Sequence, residues 1–200
     1  MIVMLPELFL RSTSHDWCYE RWADLPDDGN RYEVIDGVLY MSTPPSVYHQ
    51  WLSQLLIELV GIPARLDGWA YYFTAPVGLM MPGCDPVQPD FCLIRRERAA
   101  IIRDRRIWDV PDLIAEVLSP SNVAHDTDTK RRIYARAGTP EYWIIRPATR
   151  DLLCYWQPDR TIGDYTQVRL VPADGRFESP TLPIQLVIAD LFAGAPDTTW

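Results

Sequence analysis

Lysine is almost missing from this chain. Of 19 basic residues, 18 are arginine, and Lys130 is the exception. Histidine is scarce as well, at three residues. The four cysteines, Cys18, Cys84, Cys92 and Cys154, form no CxxC pair and stand at no zinc-ligand spacing. A zinc centre of histidines and cysteines is therefore excluded. No apolar run approaches the ~20 residues of a membrane span. The first residues are partly apolar but lack a basic region and contain Pro6 and Glu7. They read as a docking segment or strand and not as a signal peptide. Without an export signal, four reduced and mostly buried thiols in a cytoplasmic protein are expected. No GxSxG motif is present, which argues against an elbow-type nucleophile. There is no internal repeat and no low-complexity tract.

What is present suits one globular α/β domain: 200 residues, 48% hydrophobic and 23% charged. The net charge is -8. That counts against a non-specific nucleic-acid binder, which is usually basic. A site that collects metal ions, however, needs carboxylates, and the metal then brings the positive charge. The scarcity of lysine is informative in the same way. Where any positive charge suffices, arginine serves; a surviving lysine marks a place where a compact ammonium is needed, unless it survived by chance.

Residues 1–30 read as an irregular extension. RYEVIDGVLYMS (31–42) reads as a hairpin about Asp36-Gly37. Leu52, Leu55, Leu56, Leu59 and Val60 recur at helical spacing, giving a helix over 47–60 stopped by Gly61 and Pro63. Strands follow at 69–81, 90–94 and 112–120, with 81–89 a proline-rich loop. The segment 95–106 is basic and exposed. A second helix over 122–137, stopped by Gly138 and Pro140, leads to a strand at 141–146. A hairpin of 152–156 with 164–171 comes next, and 183–192 closes the domain. The strand–helix–strand unit of 112–146 predicts a parallel crossover in a mixed sheet.

Three residues stand out. Glu116 lies in the otherwise apolar strand IAEVL, where an unpaired carboxylate costs several kcal/mol; it reads as a metal ligand, a structural ion pair, or a charge on an edge strand. Asp90 follows Gln88-Pro89 and opens a strand, delivered stiffly by the proline. Two such carboxylates on neighbouring strands could share magnesium or manganese, which prefer oxygen. Lys130 shares one helix face with Asp126 and Tyr134 at spacings of four, so it either reaches back to Glu116 or forms an exposed ion pair. Glu33 and His49 are lesser candidates, the one readable as a surface charge and the other as a satisfied core histidine. His15 and His125 have no supporting context.

These residues resemble the Uma-type ("Uma two") endonuclease family of the PD-(D/E)XK restriction-endonuclease-like superfamily. The matching stretches are YEVIDGVLYMSTPP (32–45), His49, QPDFCLI (88–94), PDLIAEVLSPSN (111–122), Asp126-x3-Lys130-x3-Tyr134, AGTPEYWIIRP (137–147) and SPTLPIQLVIADLF (179–192). The resemblance implies a restriction-endonuclease-like αβββαβ core with a mixed sheet, an N-terminal hairpin and a C-terminal β-hairpin. It implies one nuclease-like domain over 31–192, an extension over 1–30 and a tail over 193–200. It implies catalysis by Asp90, Glu116 and Lys130, Mg2+ or Mn2+ on Asp90, Glu116 and the Val117 carbonyl, and hydrolysis of a DNA phosphodiester. The superfamily lysine usually follows the acid by two residues, which here is Leu118; the role maps instead onto Lys130 in the next helix. A nuclease-like fold kept as a non-catalytic binding or assembly module is the alternative. Trp17, Trp22 and Trp200 near the termini suggest a homodimer.

Overall fold

The structure is a computed structural model and describes residues 9–199. Residues 1–8, where the docking segment was expected to begin, and Trp200 lie outside the described residues. In chain order come β1 (Phe9–Arg11), α1 (Tyr19–Ala23), β2 (Arg31–Ile35), β3 (Val38–Ser42), α2 (Val47–Leu56), α3 (Ile62–Leu66), β4 (Ala70–Thr74), β5 (Leu79–Met81), β6 (Cys84–Val87) and β7 (Phe91–Arg95). Then follow β8 (Ile102–Arg103), β9 (Arg106–Trp108), β10 (Leu113–Val117), α4 (Arg131–Ala137), β11 (Glu141–Arg146), β12 (Asp151–Asp159), β13 (Asp164–Val171), β14 (Arg176–Glu178) and β15 (Gln185–Val187).

A six-stranded sheet in the order β13-β12-β11-β10-β7-β4 carries the expected αβββαβ core. Only its β10–β11 pair is parallel, with Glu116 opposite Ile144, as the crossover reading requires. β12 and β13 form the C-terminal hairpin. A seven-stranded sheet in the order β1-β3-β2-β6-β5-β9-β8 packs beside it and includes the N-terminal hairpin β2–β3. That hairpin turns at Asp36 (φ 49) and Gly37 (φ 74). Two consecutive positive φ values define the type I′ turn that Asp-Gly favours.

Strand alternation sorts the core. Leu113, Ala115 and Val117 join the apolar cluster under α2 and α3. Ile114 and Leu118 face the opposite way, into a cluster with Ile35, Cys92, Ile133 and Tyr134. By the same period of two, Glu116, Asp90 and Glu33 point into this second layer, between the two sheets.

Three local expectations are corrected. The first helical stretch does not stop at Gly61 or Pro63: a π turn over Ile57–Gly61 joins α2 to α3, and Pro63, which has no N–H to donate, lies just after that turn. The strand expected over 69–81 divides at Pro76 into β4 and β5, which join different sheets. The loop of 81–89 contains β6, in which Val87 pairs with Leu79. The second helix begins with a π turn over His125–Lys130 and ends at left-handed Gly138 (φ 94), whose N–H donates back to Tyr134 and Ala135 carbonyls.

All four cysteines are free thiols. Among the described residues no helix is long and apolar enough to cross a membrane. Trp17 and Trp22 are engaged within their own chain: Trp22 Nε1 donates to the Tyr32 carbonyl at 2.9 Å, and Arg21 covers the Trp17 ring at 4.3 Å.

Candidate active site

The site forms where three strands and two helices bring charged residues into one buried layer. β10 presents Glu116, 1% exposed; the loop before β7 presents Asp90, 5% exposed; β2 presents Glu33, 4% exposed. Ser46 caps α2, its Oγ accepting from His49 N at 3.2 Å, and so starts the helix at the turn that aims His49 inward. The π turn before α4 supplies His125, Asp126 and Lys130, and α4 itself supplies Tyr134.

Glu116 is the hub. Lys130 Nζ donates to its Oε1 at 3.0 Å, Tyr134 OH donates to the same oxygen at 2.9 Å, and the Asp90 amide lies 3.3 Å from Oε2. Asp90 sits next to it. Its Oδ2 accepts from Val117 N at 2.8 Å and lies 3.1 Å from His49 Nε2, and Arg31 Nη2 donates to its Oδ1 at 2.8 Å. The same Arg31 nitrogen donates to the Gln88 carbonyl, fixing the QPD turn. Glu33 closes the ring: Oε1 accepts from Gln88 N at 2.7 Å, and Oε2 lies 3.1 Å from Lys130 Nζ and 3.8 Å from His125 Nε2. Asp126 Oδ1 is 3.5 Å from Lys130 Nζ and makes no hydrogen bond.

The ionisation of these groups follows from burial set against neighbours. Burial pushes the Glu116 carboxyl up to about 8, because Asp90 and Asp126 add to it and Lys130 only partly offsets it. Burial alone would also raise Asp90, but His49 and Arg31 outweigh it and hold that carboxyl well below the usual range. Glu33 is depressed in the same way, chiefly by Lys130. Burial raises Asp126. Burial works against the Lys130 ammonium, yet Glu116, Glu33 and Asp126 together hold it firmly protonated. Four carboxyl groups thus surround two permanent cations, Lys130 and Arg31: Asp90 and Glu33 are held ionised, while burial favours the neutral form of Glu116 and Asp126.

All seven side chains singled out in the sequence meet here: Asp90, Glu116, Lys130, Glu33, His49, Asp126 and Tyr134. Glu33 and His49, for which bland readings stood open, are buried ion-pair partners. Two members were missed. Arg31 precedes Glu33 by two residues on β2, so strand alternation could have found it. His125, set aside for want of context, packs at a tilt against the stacked Tyr40 and Phe9 rings, at ring distances of 4.3 and 4.8 Å, and lies beside Glu33; nothing in the sequence spacing announces those contacts.

The fold is also found in a solved structure described as "a putative nuclease belonging to DUF820" from Anabaena variabilis. It is 18% identical, with a TM-score of 0.75 over 88% of this chain and 98% of that one. No curated protein matches the chain. The model of the Uma2 family, described as "Putative restriction endonuclease", matches residues 18–190. That match spans most of the chain, including every site residue named above, and the protein belongs to the Uma2 family.

Proposed function

We propose that this chain is a divalent-metal-dependent endonuclease that hydrolyses DNA phosphodiester bonds, with Asp90, Glu116 and Lys130 as its central residues. One observation carries the reading: the sole lysine of the chain is buried against Glu116, which in turn touches Asp90 from the neighbouring strand.

The donor set fits a hard cation. Both carboxyl groups are hard oxygen donors, and a cation between them would favour the ionised form of Glu116, which burial otherwise opposes. The 117–118 peptide offers a third oxygen. Its N–H donates to the Ile145 carbonyl at 3.0 Å on the β11 side, so in a trans peptide the Val117 carbonyl points the other way, toward Asp90. Among the described residues no three His, Cys, Asp or Glu side chains converge at ligating distance. Magnesium commonly uses only one or two protein carboxylates and completes its shell with water and substrate phosphate. A magnesium or manganese ion on Asp90, Glu116 and the Val117 carbonyl would lower the pKa of a bound water and offset phosphate charge.

The remaining work falls to the chain's own residues. Lys130 stays charged, so it donates hydrogen bonds and cannot serve as a base; its role is to orient the attacking water or to stabilise charge on the phosphate. Tyr134 and Glu33 hold Lys130 and Glu116 in register. Arg31 fixes Asp90 and the Gln88 carbonyl. His49 steadies Asp90 and excludes water from its inner side.

The test is cleavage of supercoiled and single-stranded DNA with manganese by wild type, Asp90→Asn and Glu116→Gln, alongside the manganese-induced shift in melting temperature. Cleavage and a shift in wild type, both lost in the variants, support the reading. The existing pairs on both carboxylates favour one alternative, a nuclease-fold binding module. Neither cleavage nor a manganese shift in wild type would select it.

A further inference from the structure

The chain carries net charge -8, yet residues 95–106 hold six arginines against two acids, Glu97 and Asp104. Arg95 and Arg98 turn inward to Asp112, at 3.7 and 3.1 Å. The β8–β9 turn carries the other end of this segment, Arg103, Arg105 and Arg106, to a different place. Arg106 lies over the Trp22 ring at 5.4 Å and Arg103 over Trp108 at 5.8 Å. Tyr19 joins the two indoles, stacked on Trp22 at 5.8 Å and edge-on to Trp108 at 6.1 Å. The Arg106 stem is pressed against Gly78, where an added Cβ would come within 2.7 Å of Arg106 Cδ. The guanidinium is thereby held in place and not left to sweep through solvent.

This ladder borders a cavity of about 370 Å³ whose walls include Trp22, Asn30, Tyr32 and Arg106. The cavity shares Asn30, Pro76 and Gln88 with a second one of about 200 Å³ that opens onto Asp90. Its size falls in the range of small-molecule sites, roughly 300–1,000 Å³. Its walls offer ring faces, a guanidinium and polar edges, and Asp27 at the rim adds an acceptor. Aromatic faces next to positive charge are what bind bases and backbone of an unpaired strand. In a duplex those ring faces are hidden in the stack, so a base enters such a cavity only if it is unstacked.

We infer that the cavity beside Trp22 and Arg106 is a nucleobase subsite, and that it seats an unpaired nucleotide of a DNA strand whose phosphate lies at Asp90. The inference rests on the nuclease reading and names the form of its substrate: single-stranded or locally opened DNA. Tyr32 and the part of the Trp22 ring that Tyr19 and Arg106 leave open to the cavity supply the aromatic wall, Arg106 pairs with the flanking phosphate, and Asn30 and Asp27 read the base edge.

The experiment measures binding in metal-free buffer, so that it does not depend on cleavage. The probe is a short fluorescein-labelled mixed-sequence DNA strand, free and annealed to its complement, followed by fluorescence anisotropy. The single strand is expected to bind at least about tenfold tighter than the duplex, and Arg106→Gln and Trp22→Leu each to weaken it about tenfold, the scale of one base–aromatic contact. Trp22→Phe, which keeps a ring, is expected to retain most of the affinity. Thermal melting of each variant checks that the fold survives, and Arg106→Gln stands if Trp22→Leu does not fold. Equal affinity for duplex and single strand, or single-strand binding untouched by folded Arg106→Gln, overturns the inference. Strand binding as described without cleavage would leave the subsite and remove the nuclease reading; cleavage with unchanged binding in the variants would do the reverse.

Discussion

Glu116 holds opposed pulls in one side chain. Its carboxyl titrates near 8 in the folded chain against 4.5 as an isolated group. Between those values the folded state keeps a proton that the unfolded chain has released, so stability falls as pH rises through this window. His49, raised above 6.5, acts in the same direction. Asp90 and Glu33, held low, add stability that is lost only in strong acid. The metal-free protein is therefore expected to need more urea to unfold at about pH 6 than at about pH 8. Glu116→Gln should flatten that slope and raise stability at the alkaline end; an unchanged slope in the variant would refute the burial account. Lys130 is the counterpart. Removing it leaves buried carboxylates without their shared cation, and Lys130→Ala should cost about 3–5 kcal/mol. Adding Glu116→Gln to that variant should recover part of the loss, read as a coupling energy in urea titrations.

At the scale of elements, both helices that face the site contain a π turn, and each turn has a packing role. The second widens the helix where His125, Asp126 and Lys130 turn inward. The first ends at Gly61, where an added Cβ would stand 2.8 Å from Tyr72 Cγ on β4. Gly61→Ala should push the helix off β4 and cost about 1–3 kcal/mol, measured as a lower urea midpoint. A second device fastens the C-terminal segment. Fully buried Glu141 accepts from Trp143 Nε1 at 2.6 Å and from Ser179 Oγ at 2.7 Å, with Thr181 alongside. Ser179→Ala leaves that carboxylate short of a donor and should cost about 1–3 kcal/mol; a midpoint equal to wild type would show the pin to be idle. Apolar periodicity made the helices, the three core strands and the parallel crossover legible. The π turns and the extra strand at Cys84–Val87 were not, because a one-residue widening or a short, irregular pairing leaves little periodic trace.

For the whole molecule, the acidic balance and the arginine-rich β8–β9 turn set the character of any nucleic-acid binding. Three arginines at the turn imply about three neutralised phosphates. The logarithm of affinity for a single strand should then fall with log salt at a slope near -2, from about -0.7 per contact. A much steeper slope would mean that other faces bind. The basic segment of 95–106 was legible in the sequence, but the fold decided its division: Arg95 and Arg98 turn inward to Asp112, while Arg103 and Arg106 lie on aromatic rings.

The order and chemistry of the residues were enough for the α/β class, the αβββαβ order and the two strand carboxylates. A charge inside an apolar strand is anomalous before any fold is known, and a lone lysine is visible by counting. The partners of those residues were set by how the two sheets stack. Arg31 meets Asp90 across 59 residues and Glu33 meets Gln88 across 55. Such contacts depend on how two sheets stack, which local spacing does not encode. The same stacking turned Glu33 and His49 inward, brought His125 beside them, and set Trp22 and Arg106 next to the opening at Asp90.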